Sequence, residues 1–427
     1  MTSGTPGEAP AGGPVPLRLG REFLLLWSGA AASLLGNRVA GVAYPLVVLW
    51  HTDSPLATSA VSFAALLPLL LVQLPAGVLV DRFDRRRLMI LCETGRTLAL
   101  ASAALALAVG LFSVAHLAAV ACLETSLAVI HRIAERGAVR HVVDPALLPA
   151  ALSQNEARGR AAVLIGQPGG VLLQSAARWA PFLFSALAGL ASLCTLLLIR
   201  KDFQQRRGTP KSLRADLAEG MRWLARRRFL RAALGFVAGS NLLLQVLPLA
   251  LLVLVKEDGR AQHAVAVIVG LGGAGGIAGA LTGNWWQRRI SLRTVLVAGL
   301  FAWAALITAM ALARHPLALG VLFAGTGYLT GVFNVAAAVH QIRTTPDALQ
   351  GRVGGTSHLL ATGANALGAL LGGLALSAWG AAPVFLALGI TMTALAATAA
   401  AASALRAEDD TAPTAPKETE HGHEHAR

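Results

Sequence analysis

The chain has 427 residues, of which 55% are hydrophobic and 14% are charged. In soluble proteins about a quarter of all residues are charged, so this composition argues against a soluble protein. The net charge of +14 would suggest nucleic-acid binding in a soluble protein. In a membrane protein it is expected from basic cytoplasmic loops, so no nucleic-acid partner is predicted.

The apolar residues form blocks of about twenty or more, which is the length that an α-helix needs to cross a hydrocarbon core. A membrane β-barrel would instead need alternating segments of about ten residues. The sequence therefore predicts an all-α membrane protein with twelve transmembrane helices. The predicted spans are 23–50, 56–80, 88–110, 112–133, 152–174, 181–199, 229–255, 264–285, 294–313, 316–339, 353–379 and 383–405.

Polar segments divide the chain into five parts. These are a disordered cytoplasmic arm (1–17), a six-helix bundle (18–200), a linker (201–228), a second six-helix bundle (229–405) and a disordered tail (406–427). Apolar residues recur at helical spacing in the linker, which predicts a basic amphipathic helix at the inner membrane surface. Basic residues concentrate in alternate loops, which puts both termini in the cytoplasm of a multi-pass protein of the inner (plasma) membrane.

No cofactor or metal is predicted from the side chains. The three cysteines lie inside apolar blocks without metal-ligand spacing. His421, His423 and His425 alternate in the tail, where transition-metal binding is one reading and a solvated tail is the favoured one.

The two bundles repeat each other. Gly36 and Pro45 in the first span correspond to Gly239 and Pro248 in the seventh, at the same offset. Because each half has six spans, both halves keep the same orientation, and an axis along the membrane normal relates them. The repeat therefore predicts two pseudo-symmetric six-helix bundles.

A charged segment separates the second and third spans. It carries Gly77, Leu79, Asp81 and Arg82, followed by Arg85, Arg86 and Arg87. This pattern resembles the loop signature G-x-L-x-D-R-x-G-R-[RK] of the major facilitator superfamily, with Asp84 where the second Gly is usual. The resemblance covers about 18–405. The phrases Leu25-Leu26-Trp27 and Gly36-Asn37-Arg38 make it similar to the exporter branch that includes enterobactin (siderophore) and macrolide efflux permeases.

The resemblance implies a gate at this loop. Asp81 should lie near the inner end of span eleven, around Gly354, where helix amides attract an anion. Arg85 should reach Glu135 at the inner end of span four. Such contacts would hold the cytoplasmic side shut. The second half has Gly283 where Asp81 stands, so the latch is expected on one side only.

Span five carries a glycine-rich motif formed by Gly166, Pro168, Gly169 and Gly170. It is similar to the antiporter signature G-P-x-x-G-G, although the proline is displaced by one place. Glycines at this spacing let helix backbones approach closely. Close packing and a specific antiport role are both compatible with the motif.

Charged groups at bilayer depth are expensive and indicate function. Arg38 and Glu124 lie at similar depth in spans one and four, which the resemblance places around a central cavity. We expect them to face each other, with Glu124 as the proton-coupling group; a fixed ion pair is the alternative. Asn37, Asn241, Gln245 and Asn334 are further candidates for the cavity. Glu93 and Arg96 at i, i+3 are expected to give structural support.

These features predict a secondary transporter and not an enzyme. No phosphate-binding loop is present in the sequence, so a proton-driven exporter of a small organic molecule is favoured. Its expected partners are the small-molecule substrate, protons and the lipid bilayer, and a monomer is expected. An importer or an uncoupled facilitator is the first alternative. A membrane receptor or assembly factor with the same fold is an alternative of another class.

Overall fold

The computed structural model describes residues 20–143, 147–199, 221–222, 225–345 and 350–402, and leaves a few side chains within these ranges undescribed. The predicted arm, the tail with its histidines and most of the linker lie outside the described residues. The described part is helical, without strands. Its helices are α1 (Arg21–Thr52), α2 (Pro55–Leu71), α3 (Gln73–Arg82), α4 (Arg85–Ala108), α5 (Val114–Val142), α6 (Leu148–Ala176), α7 (Ala180–Leu198), α8 (Arg228–Leu244), α9 (Val246–Glu257), α10 (His263–Gln287), α11 (Leu292–Leu312), α12 (Pro316–Thr344), α13 (Gln350–Trp379) and α14 (Ala381–Ala401).

Ten helices of the described chain are long and apolar enough to cross a membrane, with α8 and α9 counted as one. The bent pair α2 and α3 makes an eleventh if it forms a single span. Helix α6 is not among these ten; it carries Glu156, Arg158 and Arg160 in its first half and Gln167 and Gln174 in its second. The all-α membrane fold is confirmed, whereas length and composition do not confirm the count of twelve.

Two helix breaks follow from proline. Proline has no N–H to donate to the residue four positions earlier. Pro248 accordingly lies four residues after Leu244, where α8 ends, and Pro75 lies four residues after Leu71, where α2 ends. The second break bends the chain by 58°. Pro45, the repeat partner of Pro248, lies inside an unbroken α1.

The short turn between α3 and α4 explains the missing glycine of the loop signature. Asp84 has an extended backbone and caps α4, because its Oδ1 accepts a 2.8 Å hydrogen bond from the Arg87 amide. Carboxylates are favoured at this position, and the backbone here does not adopt a positive φ. An aspartate therefore serves this turn without a second glycine.

The two halves meet along two helix pairs, α2 with α13 and α6 with α10. We call the end of the bundle where α1 begins and Asp84 links α3 to α4 the loop end. The opposite end, where Asp53 links α1 to α2, is the hairpin end. At the hairpin end α1 also contacts α9, and Leu46 and Leu49 join the apolar core of the second half.

Polar contacts reinforce this closure at the hairpin end. Lys256 of α9 forms an ion pair with Asp53 and donates a 2.5 Å hydrogen bond to the Leu49 carbonyl oxygen. Gly373 of α13 lies directly against Ser59 of α2, so that an added Cβ would overlap the serine side chain. The halves are therefore sealed together at the hairpin end.

Candidate transport cavity and buried polar network

A cavity of about 720 Å³ lies between the halves, from the middle of the bundle towards the loop end. Its walls come from α1, α6, α8, α9, α10 and α12, and are mostly apolar side chains and glycine backbone. The polar residues that line it include Arg38, Glu156, Arg160, Gln167, Thr330 and Asn334. Concave, mostly apolar surfaces with a few polar groups are typical of small-molecule sites.

Arg38 is the charged group of α1 in this cavity. None of the described carboxylates forms an ion pair with it, and its Nε has no hydrogen-bond partner among the described residues. Gly166 of α6 lies against its stem, since an added Cβ would come 2.6 Å from the Arg38 Cβ. Small residues on α6 therefore make room for the arginine at the cavity wall.

A second polar cluster is buried inside the first half, between α1, α4 and α5. Arg96 donates to Glu93 Oε2 at 3.1 Å and to Glu124 Oε1 at 2.9 Å. Ser33 and Asn37 of α1 complete the cluster, because Arg96 donates to Ser33 Oγ at 2.5 Å and Asn37 donates to Glu124 Oε1 at 3.0 Å. We call these five residues the buried network.

The buried network is unbalanced in charge. The side chains of Glu93, Arg96 and Glu124 are at most 4% exposed, so two carboxylates share one guanidinium away from water. Glu93 Oε1 has no hydrogen-bond partner in the described part of the chain. His131 Nε2 lies 3.5 Å from Glu93 Oε2. Since an uncompensated buried charge is costly, this excess of one carboxylate distinguishes the buried network from a neutral ion pair.

The expected pairing of Arg38 with Glu124 is wrong. Glu124 bonds instead to Arg96 and to Asn37, the neighbour of Arg38 on α1. Glu93 and Arg96, expected to be only supporting residues, form the centre of the network. One signal pointed to it: Glu124, His131 and Glu135 recur along α5 at helical spacing.

The remaining cavity candidates differ in whether they line the cavity. Asn334 lines the cavity, as expected. Asn241 and Gln245 lie at the break between α8 and α9, where the backbone N–H of Gln245 donates to the backbone carbonyl oxygen of Asn241 at 3.0 Å. Their neighbours Leu244 and Leu247 face the cavity instead.

The gate residues lie at the loop end and are largely apart from one another. Asp81 and Arg82 are exposed, and Asp81 makes no ion pair with any described residue. Glu135 pairs with Arg158 at 2.6 Å and not with Arg85, so that expectation is wrong. Arg85 lies against Gly137, where an added Cβ would come 2.9 Å from its guanidinium carbon.

Two other residues of the signature have structural contacts. Arg86 donates to the carbonyl oxygens of Leu196 and Leu197 at 3.4 and 3.2 Å, which caps the end of α7. Gly77 has open space around it. Gly283, at the position of Asp81 in the repeat, is packed against Val335, with only 2.8 Å between an added Cβ and the valine Cβ.

The glycine-rich motif of α6 packs helices. Gly170 lies against Val39 and Val42 of α1, whereas Gly169 has open space around it. Pro168 lies against Gly270 of α10 in the other half, because a Cβ added at Gly270 would come 3.4 Å from the proline Cγ. The motif thus brings α6 close to both α1 and α10, and close packing is its visible role.

The family model described as transmembrane secretion effector matches residues 12–424. The chain belongs to this family of the major facilitator superfamily. The resemblance drawn from the loop signature is therefore confirmed. As a member of that superfamily the protein is a transporter and not an enzyme.

Several relatives of this transporter carry names that concern efflux. The multidrug efflux pump Tap of Mycolicibacterium fortuitum is 28% identical over 398 residues, which cover 91% of this chain and 97% of that protein. Tap of Mycobacterium tuberculosis strain H37Rv is 29% identical over 425 residues, 93% of this chain and 96% of the pump. The MFS-type transporter YfiS of Bacillus subtilis is 26% identical over 79% of this chain and 82% of its own length.

Solved structures share the fold of this transporter. The nucleoside transporter NupG has a TM-score of 0.72 and 15% identity, covering 89% of this chain and 98% of its own. A bacterial homologue of the human lysosomal transporter Spinster, inward-facing and unoccupied, has a TM-score of 0.69 and 14% identity over 92% of this chain and 98% of its own. At these identities the likeness shows the fold alone.

No group of three or more His, Cys, Asp or Glu among the residues that the structure describes could hold a metal ion. Arg38 faces the cavity while the adjacent Asn37 faces the buried network. A single turn of α1 thus connects the two sites.

Proposed function

We propose that this transporter is a proton-coupled exporter of small organic molecules that works by alternating access. The observation that carries the proposal is the cavity, which lies between two halves that are sealed at the hairpin end. A site that is accessible from one side only is what alternating access requires. The names of the Tap relatives support the direction of export.

We further propose twelve spans, with α6 as the span whose charged residues lower its hydropathy. The protein then lies in the plasma membrane with its loop end facing the cytoplasm, because the basic residues concentrate at that end. Both termini lie on that side, and the cavity is open to the cytoplasm, from which an exporter collects its substrate. A monomer suffices for this arrangement, since each chain carries both halves.

Proton coupling is proposed for the buried network, with Glu124 as the proton carrier. Two carboxylates and one guanidinium leave one negative charge in a buried site, and binding a proton removes it. Glu124 is the carboxylate that Asn37 connects to α1. Protonation of Glu124 would weaken that contact and alter the packing of α1 beside the cavity.

The loop signature is proposed as the gate of the cytoplasmic side. In this structure Asp81 is exposed while the cavity is open at the same end. This combination supports a latch that is broken in the inward-open state. The buried position of Gly283 supports a latch on one side only, because it leaves no room for an acidic side chain.

The test is dye uptake into inverted membrane vesicles with an imposed pH gradient, acid inside. We expect the wild-type protein to accumulate members of a panel of anionic, neutral and cationic dyes. Glu124→Gln should lose accumulation and keep dye exchange at equal pH. Glu257→Gln is the control, since Glu257 lies at the hairpin end, where it accepts from the Ala381 amide, and glutamine keeps an acceptor. Equal accumulation by Glu124→Gln and wild type would contradict proton coupling at Glu124.

A further inference from the structure

The charges at the cavity wall do not cancel. Glu156 and Arg160 both line the cavity and neutralise each other through a 3.2 Å ion pair at i, i+4. Arg38 also lines it, deeper in the bundle, and forms no ion pair with any carboxylate that the structure describes. The lining therefore keeps one positive charge that the protein leaves unbalanced.

More positive charge lies within electrostatic range of Arg38. Arg132 and Arg136 of α5 are exposed, and the charges of Arg38 and Arg136 act on Arg132. From α13, in the other half, His358 is within the electrostatic range of Arg132 and Arg136. The nearby carboxylate of Glu135 is already bound by Arg158. The region between α1, α5 and α13 is therefore strongly positive.

Such an arrangement is costly unless an anion completes it. Uncompensated charge inside a membrane protein is expensive and marks a binding site or pathway. A guanidinium offers paired donors that match a carboxylate, sulfonate or phosphate group. Positive residues near Arg38 would also attract anions towards this side of the cavity.

The other walls decide what else the ligand carries. Leu247, Val269 and Phe323 line the cavity together with the glycine backbone of α10 and α12. These surfaces favour an apolar body, and the volume of about 720 Å³ fits a drug-sized molecule. Thr330 and Asn334 add neutral hydrogen-bonding groups on α12.

We propose that the cavity binds amphipathic organic anions, with the anionic group on Arg38 and the apolar body against α9, α10 and α12. This inference deepens the proposed function by naming the substrate class, and it rests on that function only for transport. Binding itself is a property of the cavity and can be measured without flux.

The test uses two probes that share a ring system and differ in charge, dansyl sulfonate and the neutral dansyl amide. Their affinities for the purified full-length protein are measured by fluorescence titration in detergent. We expect the wild type to bind the sulfonate at least about tenfold more tightly than the amide, since a charge-assisted hydrogen bond contributes that much. Arg38→Gln should remove this preference, and Arg38→Lys should keep part of it.

Arg289→Gln is the matched control, because Arg289 is an exposed cation that stacks on Trp285 at 4.1 Å, outside the cavity. It should keep the preference for the sulfonate. Equal affinity for both probes in the wild type, tighter binding of the amide, or an unchanged preference in Arg38→Gln would overturn the proposal. If the sulfonate binds as expected but is not transported across the membrane of liposomes that contain the protein, the exporter proposal would be contradicted and the anion site would be retained.

Discussion

Arg96 of α4 donates a 2.9 Å hydrogen bond to Glu124 of α5, and both side chains are 4% exposed. The same oxygen, Glu124 Oε1, also accepts a hydrogen bond from the side-chain amide of Asn37 on α1. Three helices of the first half are thus joined at one carboxylate oxygen. Because Arg38 follows Asn37 and lines the cavity, a change at Glu124 acts on α1 one residue away from the cavity wall.

Removal of the shared guanidinium is expected to destabilise the first half. Arg96→Gln leaves Glu93 and Glu124 buried without a counter-charge, which costs about 3–5 kcal/mol. We expect a clearly lower thermal unfolding midpoint for the purified protein in detergent. Arg160→Gln is the control, because its ion pair with Glu156 is exposed and contributes at most about 1 kcal/mol.

The single replacement Glu93→Gln tests the same charge count in a protein that folds. It leaves one carboxylate and one guanidinium, a neutral pair, so its stability should stay close to that of the wild type. Equal unfolding midpoints for Arg96→Gln and Arg160→Gln would mean that the network is not the charged centre described above.

The packing of α10 on α12 predicts a strong effect for one methyl group. An added Cβ at Gly279 would overlap the carbonyl oxygen of Tyr328, and backbone cannot move aside as a side chain can. Gly279→Ala should therefore lower the free energy of unfolding by about 1–3 kcal/mol. Gly299→Ala in α11 meets no atom within 4 Å, so it should gain up to about 1 kcal/mol from helix propensity. Thermal unfolding distinguishes the two, and similar midpoints would contradict the close backbone contact.

The gate proposal predicts that Asp81 matters only in the state closed at the loop end. Asp81→Asn should leave the inward-open state intact and increase its population. A cysteine at Gly159, which lines the cavity and has open space around it, reports this as several-fold faster alkylation in a background without Cys92, Cys122 and Cys194. Asp84→Asn is the control, since asparagine also caps a helix well. An alkylation rate that does not change in Asp81→Asn would remove Asp81 from the gate.

The helical membrane fold could be predicted because apolar length is a local property of the chain. The repeat could be predicted because landmarks such as Pro45 and Pro248 keep a fixed offset. Contacts between helices were harder to predict from the sequence. Asn37 and Arg38 lie at nearly the same depth, but neighbouring residues point about 100° apart around a helix. Depth alone could not decide which of them faces Glu124.

The buried network shows the same limit. Glu93 and Arg96 were recognised as a pair because their spacing lies on one helix. Their burial depends on α1 and α5 packing over that face, which one sequence does not specify. The partner of Glu135 was missed for a related reason: Arg158 approaches it from α6, whereas the family resemblance pointed to Arg85.

The contact of Gly373 with Ser59 predicts a mutation that acts in the direction opposite to Asp81→Asn. An alanine at this position would overlap Ser59 and lie 3.1 Å from the Pro55 carbonyl oxygen. The overlap exists only while α2 and α13 are pressed together at the hairpin end. The proposed alternating access separates them there in the outward-open state, so Gly373→Ala should penalise the inward-open state alone.

We expect the cysteine reporter at Gly159 to be alkylated more slowly in Gly373→Ala, because the loop end closes as the hairpin end opens. A penalty of about 1–3 kcal/mol corresponds to roughly a 5- to 150-fold shift in the population. Gly363→Ala is the matched control on the same helix pair, since its added Cβ would meet Leu70 at an ordinary 3.6 Å. Faster or unchanged alkylation in Gly373→Ala, with a normal rate in Gly363→Ala, would mean that the two ends do not alternate.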